Sequence, residues 1–322
     1  MKPKALFVML ILWLSFTTIQ ARSTEDVPDK GTYAKFLLVG CYMKPDEEGV
    51  RMYRFDGQTA DVDYPCGLRG ISNPAFLTSD STGNRIYAIG DDEGKSSTAN
   101  ALLFDKESGL LSLLNSQSTD GELPIYITLS PKEYFVLTAN YKGGSITVFS
   151  QDKKGKLQRD TKIIRFAGNG PNKKRQEQSH LHCVTFTPDG KFLLATDLGT
   201  DCIYLFPIGK RPEAGRAHSL LDESRVVRIQ MDSGSGPRHI CFHPNGRFAY
   251  LISELSGKIT VFSYNEGKLE RLQTIVCDPF VAEGNADIHV SSDGKFLYAS
   301  KHLKEDGIIV YSIDSQKGHW FK

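Results

Sequence analysis

A few side chains able to do acid–base or anion chemistry stand at matching places in the second half of the chain. They are His182, Arg238, Glu254 and His302, with His180 and His239 close beside two of them. Arg238 offers a planar guanidinium fork that can grip a carboxylate or polarise a carbonyl oxygen. Glu254 and His182 are natural general bases, because each can take a proton near neutral pH once its surroundings tune it. Such a set suits anion or acyl chemistry, with an arginine holding the substrate and a carboxylate or imidazole activating water. His180 and His182 form a His-x-His pair, but two histidines leave a zinc site short of ligands and no third stands at usable spacing. No metal is expected, and no cofactor either. The nucleophile-elbow, phosphate-loop and dinucleotide fingerprints do not occur in the sequence.

A repeating fold would bring residues so far apart in sequence to one place, and the sequence does repeat. SHLHCVTFTPDGKFLLATDLGTDCIYLF (179–206), GSGPRHICFHPNGRFAYLISELSGKITVF (234–262) and NADIHVSSDGKFLYASKHLKEDGIIVYS (285–312) are near copies. Weaker copies are LPIYITLSPKEYFVLTANYKGGSITVFS (123–150) and NPAFLTSDSTGNRIYAIGDDEG (73–94), and 34–55 resembles the second and third strands of one more. The turns fall at Gly83, Glu133, Gly190, Gly246 and Gly294, a period of about 50 residues that points to a toroidal or stacked array. Each copy reads as an apolar strand, a tight turn, a second strand, a Gly-containing loop and a third strand. A fourth strand fits GKLQRDTKII (155–164) and GKLERLQTIV (267–276). Four strands per repeat is the pattern of a β-propeller blade, so the expected class is all-β, with about six recognisable blades. Asp189, Asn245 and Asp293 are explained by the turns, and Phe192, Phe248 and Phe296 just after them are read as core.

Register then decides which polar residues share a face. In a propeller the start of the innermost strand and the end of the second lie on the same face of the disc. Eight residues before the turn stand His182, Arg238 and Ala286, and eight after it Asp91, Tyr141, Leu198, Glu254 and His302. These should collect around one mouth of the central channel, which is the default place for a ligand. Asn140 and Asp197, one position earlier, are expected either to touch substrate or to brace loops, as is Asp201.

The composition fits a soluble globular protein, with 322 residues, 40% hydrophobic and 24% charged. A net charge of +1 without a basic block argues against nucleic acid as a partner. The short basic runs Lys153–Lys156 and Lys173–Arg175 read as solvated loops. Residues 1–21 have the basic, apolar and small-residue order of a secretory signal. Residues 22–33 read as a linker and 34–322 as the propeller. No later run is long enough to cross a bilayer, so the mature chain is expected in the periplasm or secreted, without a membrane span. Six cysteines without close spacing are read mostly as buried thiols.

Asn73-Pro74, Ala139-Asn140-Tyr141, Ser179-His180 with His182, Thr196-Asp197-Leu198-Gly199, Gly236-Pro237-Arg238-His239 and Glu254-Leu255-Ser256-Gly257 follow one another in an order that resembles the lactonase-type seven-bladed propeller family. That family holds bacterial 6-phosphogluconolactonases and fungal carboxymuconate cyclases. The resemblance implies a sugar lactone or sugar acid as the small-molecule partner. It implies His182 (or His180), Arg238 and Glu254 as the catalytic groups and a further arginine at the position of His302. Substrate contacts are then expected at His180, Asn140, Tyr141, Asp197, His239 and His302. The chain departs from the pattern in lacking a recognisable last blade and in carrying Lys301-His302 where family members usually show Asn-Arg. The leading expectation is an exported lactone hydrolase. The alternatives are a sugar-acid-binding or scaffold propeller, and a truncated inactive relative that self-associates through unpaired edges at 36–40 and 308–312.

Overall fold

A computed structural model describes residues 34–210, 212–277, 284–302, 306–314, 318 and 320–321. The expected signal and linker lie outside the described residues. Six antiparallel sheets stand in chain order: sheet 1 (34–68), sheet 2 (77–118), sheet 3 (124–165), sheet 4 (181–230), sheet 5 (237–276) and sheet 6 (285–321). Sheets 2 to 6 have four strands and sheet 1 has three. The first strands of sheets 2 to 6 pack on one another in sequence, as the inner strands of consecutive propeller blades do.

The burial of each strand follows from its distance from the axis. The second strand of sheet 5, Phe248–Ser253, is buried at every position because neighbouring sheets cover both its faces. The outermost strand of the same sheet, Lys268–Val276, alternates instead, with its polar residues in water. One apolar cluster fills each gap between consecutive sheets. Leu137, Ile146, Val184 and Tyr204 belong to the cluster between sheets 3 and 4, and Tyr250, Val261, Ile288 and Leu297 to that between sheets 5 and 6.

The turns are built as their residue types demand. The Asp189, Asn245 and Asp293 side chains each accept a hydrogen bond from the backbone N–H two residues on. Gly190, Gly246 and Gly294 take the positive φ that closes the turn, and Glu133 holds the same conformation at φ 56° without glycine's freedom. One core expectation is corrected. Phe248 is buried, but Phe296 is 40% exposed because the outer face of sheet 6 meets solvent. All six cysteines are unbridged.

Candidate active site

The loop that starts each inner strand carries a device that residue counting alone does not reveal. In sheets 3, 4 and 5 the ladder skips one residue, passing from Pro124 to Tyr126, from Leu181 to Cys183 and from Pro237 to His239. The skipped residues are Ile125, His182 and Arg238, and sheet 6 shows a comparable shift between Asn285 and Ile288. A β-bulge re-aims the side chain it frees, so His182 and Arg238 leave the pleat and turn to the mouth of the channel.

Glu254 follows the second strand of sheet 5, and its N–H donates to Gly236 O at 2.8 Å. Tyr141, Leu198 and His302 make the same bond at their own blade entries, to Leu123, His180 and Gly284. The expected register is therefore real. The Glu254 side chain is 5% exposed and accepts from two guanidinium groups. Arg238 Nε reaches Oε2 at 3.1 Å and Arg175 Nη2 reaches Oε1 at 2.5 Å. His182 Nε2 lies 3.7 Å from Oε2. Burial, reinforced by the charge of Arg238, pushes His182 well below the usual imidazole range, so it is neutral and makes no ion pair with Glu254. Its Nδ1 is buried with no hydrogen-bond partner among the described residues.

Arg175 corrects the reading of 173–175 as a solvated loop. Lys173 and Lys174 are exposed, but Arg175 turns inward and also lies 3.5 Å from the Tyr141 hydroxyl. Burial opposes its charge, and the Tyr141 hydroxyl and Glu254 carboxylate outweigh that and hold its pKa up. The sequence signal for Arg175 was slight, since a basic residue in a Gly/Asn-rich loop gives no periodicity to read. What holds it is its neighbour Gln176, which is fully buried. Gln176 Nε2 donates to Leu198 O at 2.9 Å and to Asp201 Oδ1 at 2.8 Å. Asp201 also accepts from the N–H groups of Gly234 and Gly236 at 2.6 and 2.8 Å, in the loop that leads into Arg238. One buried carboxylate thus braces the backbone behind both arginines.

Beneath the mouth, Arg238 Nη1 donates to Ala286 O at 2.5 Å and sits 3.3 Å from His239 Nε2. His239 Nδ1 lies 2.7 Å from Asp287 Oδ1, whose Oδ2 is 2.9 Å from His289 Nε2. Arginine only donates and a carboxylate only accepts, so His239 is neutral with its proton on Nδ1. Burial first and Arg238 second press its pKa down to about 4. Burial would raise Asp287, but His289 and His239 outweigh it and keep Asp287 well below the usual carboxylate range.

The other expected contacts divide. Tyr141 is at the mouth, stacked on the His180 ring with centroids 4.3 Å apart. The His180 ring is packed there between the Tyr141 carbonyl, 3.1 Å from Nδ1, and Glu177, 3.2 Å from Nε2. His302 is half-buried within electrostatic reach of Arg238, Glu254 and Arg175, and burial followed by Arg238 lowers its pKa. Asn140 and Asp197 are fully buried and brace loops instead. Asn140 bonds Thr138, Ser145 and Thr147, and Asp197 accepts from Ser179, Thr200 and the backbone of His180 and Gly199. Asp201 braces in the same way.

The arrangement can hold an oxyanion or carboxylate against guanidinium groups and present a carboxylate base with a neutral imidazole beside it. The chain is 33% identical over 288 residues to the 6-phosphogluconolactonase of Bacillus subtilis strain 168, covering 87% of this chain and 78% of that one. A crystal structure from Bacteroides fragilis, described as a candidate 6-phosphogluconolactonase, superposes with a TM-score of 0.85 at 39% identity, covering 92% of this chain and 82% of that one. The periplasmic gluconolactonase of Pseudomonas aeruginosa superposes with a TM-score of 0.78 at 29% identity, covering 89% of this chain and 81% of that one. The family model "Lactonase, 7-bladed beta-propeller" matches residues 36–320, of which the described part forms six sheets. The chain belongs to that lactonase family of β-propellers.

Proposed function

We propose that the chain is an exported hydrolase of the 6-phosphogluconolactonase type that opens a sugar lactone. The observation that carries this reading is the convergence of Arg238, Arg175 and neutral His182 on the single buried carboxylate of Glu254. In this mechanism Arg238 binds the lactone carbonyl and stabilises the oxyanion that forms there. Glu254 removes a proton from water as the water oxygen bonds to the carbonyl carbon. The ring C–O bond then breaks, the proton passes to the departing ring oxygen, and a hydroxy acid results. His182, with one nitrogen facing Glu254 and the other unpartnered, orients the water or a substrate hydroxyl. Neither a covalent intermediate nor a cofactor is needed. Export rests on the signal-like order of residues 1–21 and is supported by the periplasmic relative.

The test is proton release from glucono-δ-lactone and its 6-phosphate, followed above the spontaneous rate, with Glu254→Gln and Arg238→Ala alongside wild type. Both variants should lose turnover, and an unchanged rate in both sinks the proposal. The non-catalytic reading draws on His302, which stands where the family usually has arginine. It predicts saturable sugar-acid binding with no hydrolysis above the spontaneous rate.

A further inference from the structure

Glu254 is poorly placed to act as a base while two guanidinium groups occupy its two oxygens. Arg238 is fastened by three contacts, to Glu254, Ala286 O and His239, and its side chain is 14% exposed. Arg175 is different. Its side chain is 38% exposed, and its side-chain contacts are Glu254 and the Tyr141 hydroxyl at 3.5 Å. Its backbone is anchored: its N–H donates to Asn172 O at 3.1 Å, and the next residue, Gln176, donates to Asn172 O at 2.7 Å and is locked to Asp201. The loop is therefore fixed while the guanidinium can swing about its side-chain bonds. Arg175, Arg238 and Glu254 together carry a net charge of +1, since His182 is neutral.

We propose that Arg175 is an anion-responsive latch that determines substrate class. This rests on the lactone-hydrolase reading. In the resting site Arg175 masks Oε1 of Glu254. A phosphate or carboxylate on the lactone competes for the guanidinium, draws it off Glu254 and so uncovers the oxygen that takes the proton from water. Binding energy from the remote anionic group is thereby used to raise kcat as well as affinity. A neutral lactone gives Arg175 no reason to leave, and its turnover is limited by the masked base.

Three lactones separate the possibilities: glucono-δ-lactone, its 6-phosphate and a glucarolactone bearing a free carboxylate. The full-length chain is assayed as wild type, Arg175→Gln and Arg175→Lys, with equal thermal melting as the folding control. Arg175→Gln should lower kcat/KM for an anionic lactone by about 10- to 100-fold, the worth of a charge-assisted hydrogen bond. It should raise kcat for glucono-δ-lactone, because the guanidinium that masks the base is gone, and an unchanged or lowered value overturns the masking. Arg175→Lys should keep part of the anionic preference. Loss confined to the phosphate or to the carboxylate substrate identifies which anion the latch takes. An equal fall on all three lactones, or no change on either anionic one, overturns the latch. Should the wild type hydrolyse none of them, the lactonase reading fails and the latch is judged by calorimetry. Binding of 6-phosphogluconate about 10-fold tighter than gluconate, with the preference lost in Arg175→Gln, supports it. Equal affinities in the wild type overturn it.

Discussion

Sheets 5 and 6 are written in almost the same residue pattern and meet opposite fates. Tyr250, Ile259 and Val261 of sheet 5 are each 0% exposed, while their register-mates Tyr298, Ile308 and Val310 of sheet 6 are 39%, 63% and 49% exposed. Sheet 4 agrees with sheet 5, since Leu194 and Ile203 at the matching places are also 0% exposed. The strands form equally well in both sheets. What differs is the presence of a sheet packed on the following face, so the same apolar side chain is core in one blade and surface in the next. The candidate site follows this division. His182, Arg238, Glu254 and Arg175 hang from sheets 4 and 5 and the loop entering sheet 4, which neighbours cover on both sides. His302 belongs to sheet 6.

The largest expected effect tests that division directly. Glu254→Gln keeps the volume of the side chain but removes the charge shared by two guanidinium groups. A loss of about 10³-fold in kcat is expected, while His302→Gln should cost less than about 10-fold. Lactone turnover measured on both variants checks the contrast, and equal losses would move the site toward sheet 6.

Next in size is Asp201→Ala. Removing this carboxylate leaves Gln176, Gly234 and Gly236 without their buried acceptor. At about 1–3 kcal/mol for each unsatisfied group, with partial relaxation, roughly 3 kcal/mol of stability should go. Urea denaturation would report that loss, and kcat/KM should fall too because the backbone behind Arg175 and Arg238 loosens together.

Acid should weaken the covered part of the mouth by a similar amount. His239 has a folded pKa of about 4 against an ordinary value of 6.5. Between those values the unfolded chain binds the proton and the folded chain does not, so stability falls as pH drops from about 6.5 to about 4. The His239 contribution is about 3 kcal/mol at the acid end. His182, also depressed, acts in the same direction, whereas His289 is raised, so its contribution is complete below about pH 6.5 and is lost only as pH rises above that. The benefit from Asp287, which is depressed, persists through this window and is lost only at lower pH. Unfolding free energies at pH 7 and pH 4.5 should show the slope, and His239→Gln should flatten it.

The smallest effect is expected at Ile308, in the most literal test of the two sheets. Ile259→Ala should cost about 3 kcal/mol through lost burial and a cavity, whereas Ile308→Ala should stay within about 0.5 kcal/mol. Chemical denaturation of the pair checks this. A large cost at Ile308 would show that its face is covered in solution.

Much of this was legible before any coordinates. The copies around Gly190, Gly246 and Gly294 repeat their turn residues and apolar runs, and local backbone preference is enough to place strands and hairpins. Counting from those glycines, and from Glu133 in the turn that lacks one, puts Glu254, Tyr141 and His302 at one level, and the shared backbone bond at each blade entry confirms the count. The count also brought His182 and Arg238 to the mouth, but only the ladder shows that both are freed by bulges. Asn140 and Asp197 carried no mark to tell a brace from a substrate contact, because an Asn or Asp at a strand end serves either role until its partners are known.

The sequence alone determined the repeat, the four-stranded unit, the turn chemistry and the register that groups distant residues, because each depends on neighbours a few positions away. Only the tertiary structure decided which apolar faces are covered and that Arg175 lies against Glu254. It also decided that buried Asp201 ties the two arginine-bearing loops together. Those outcomes depend on which sheet packs on which and on the path of an irregular loop through space, and no local preference encodes either.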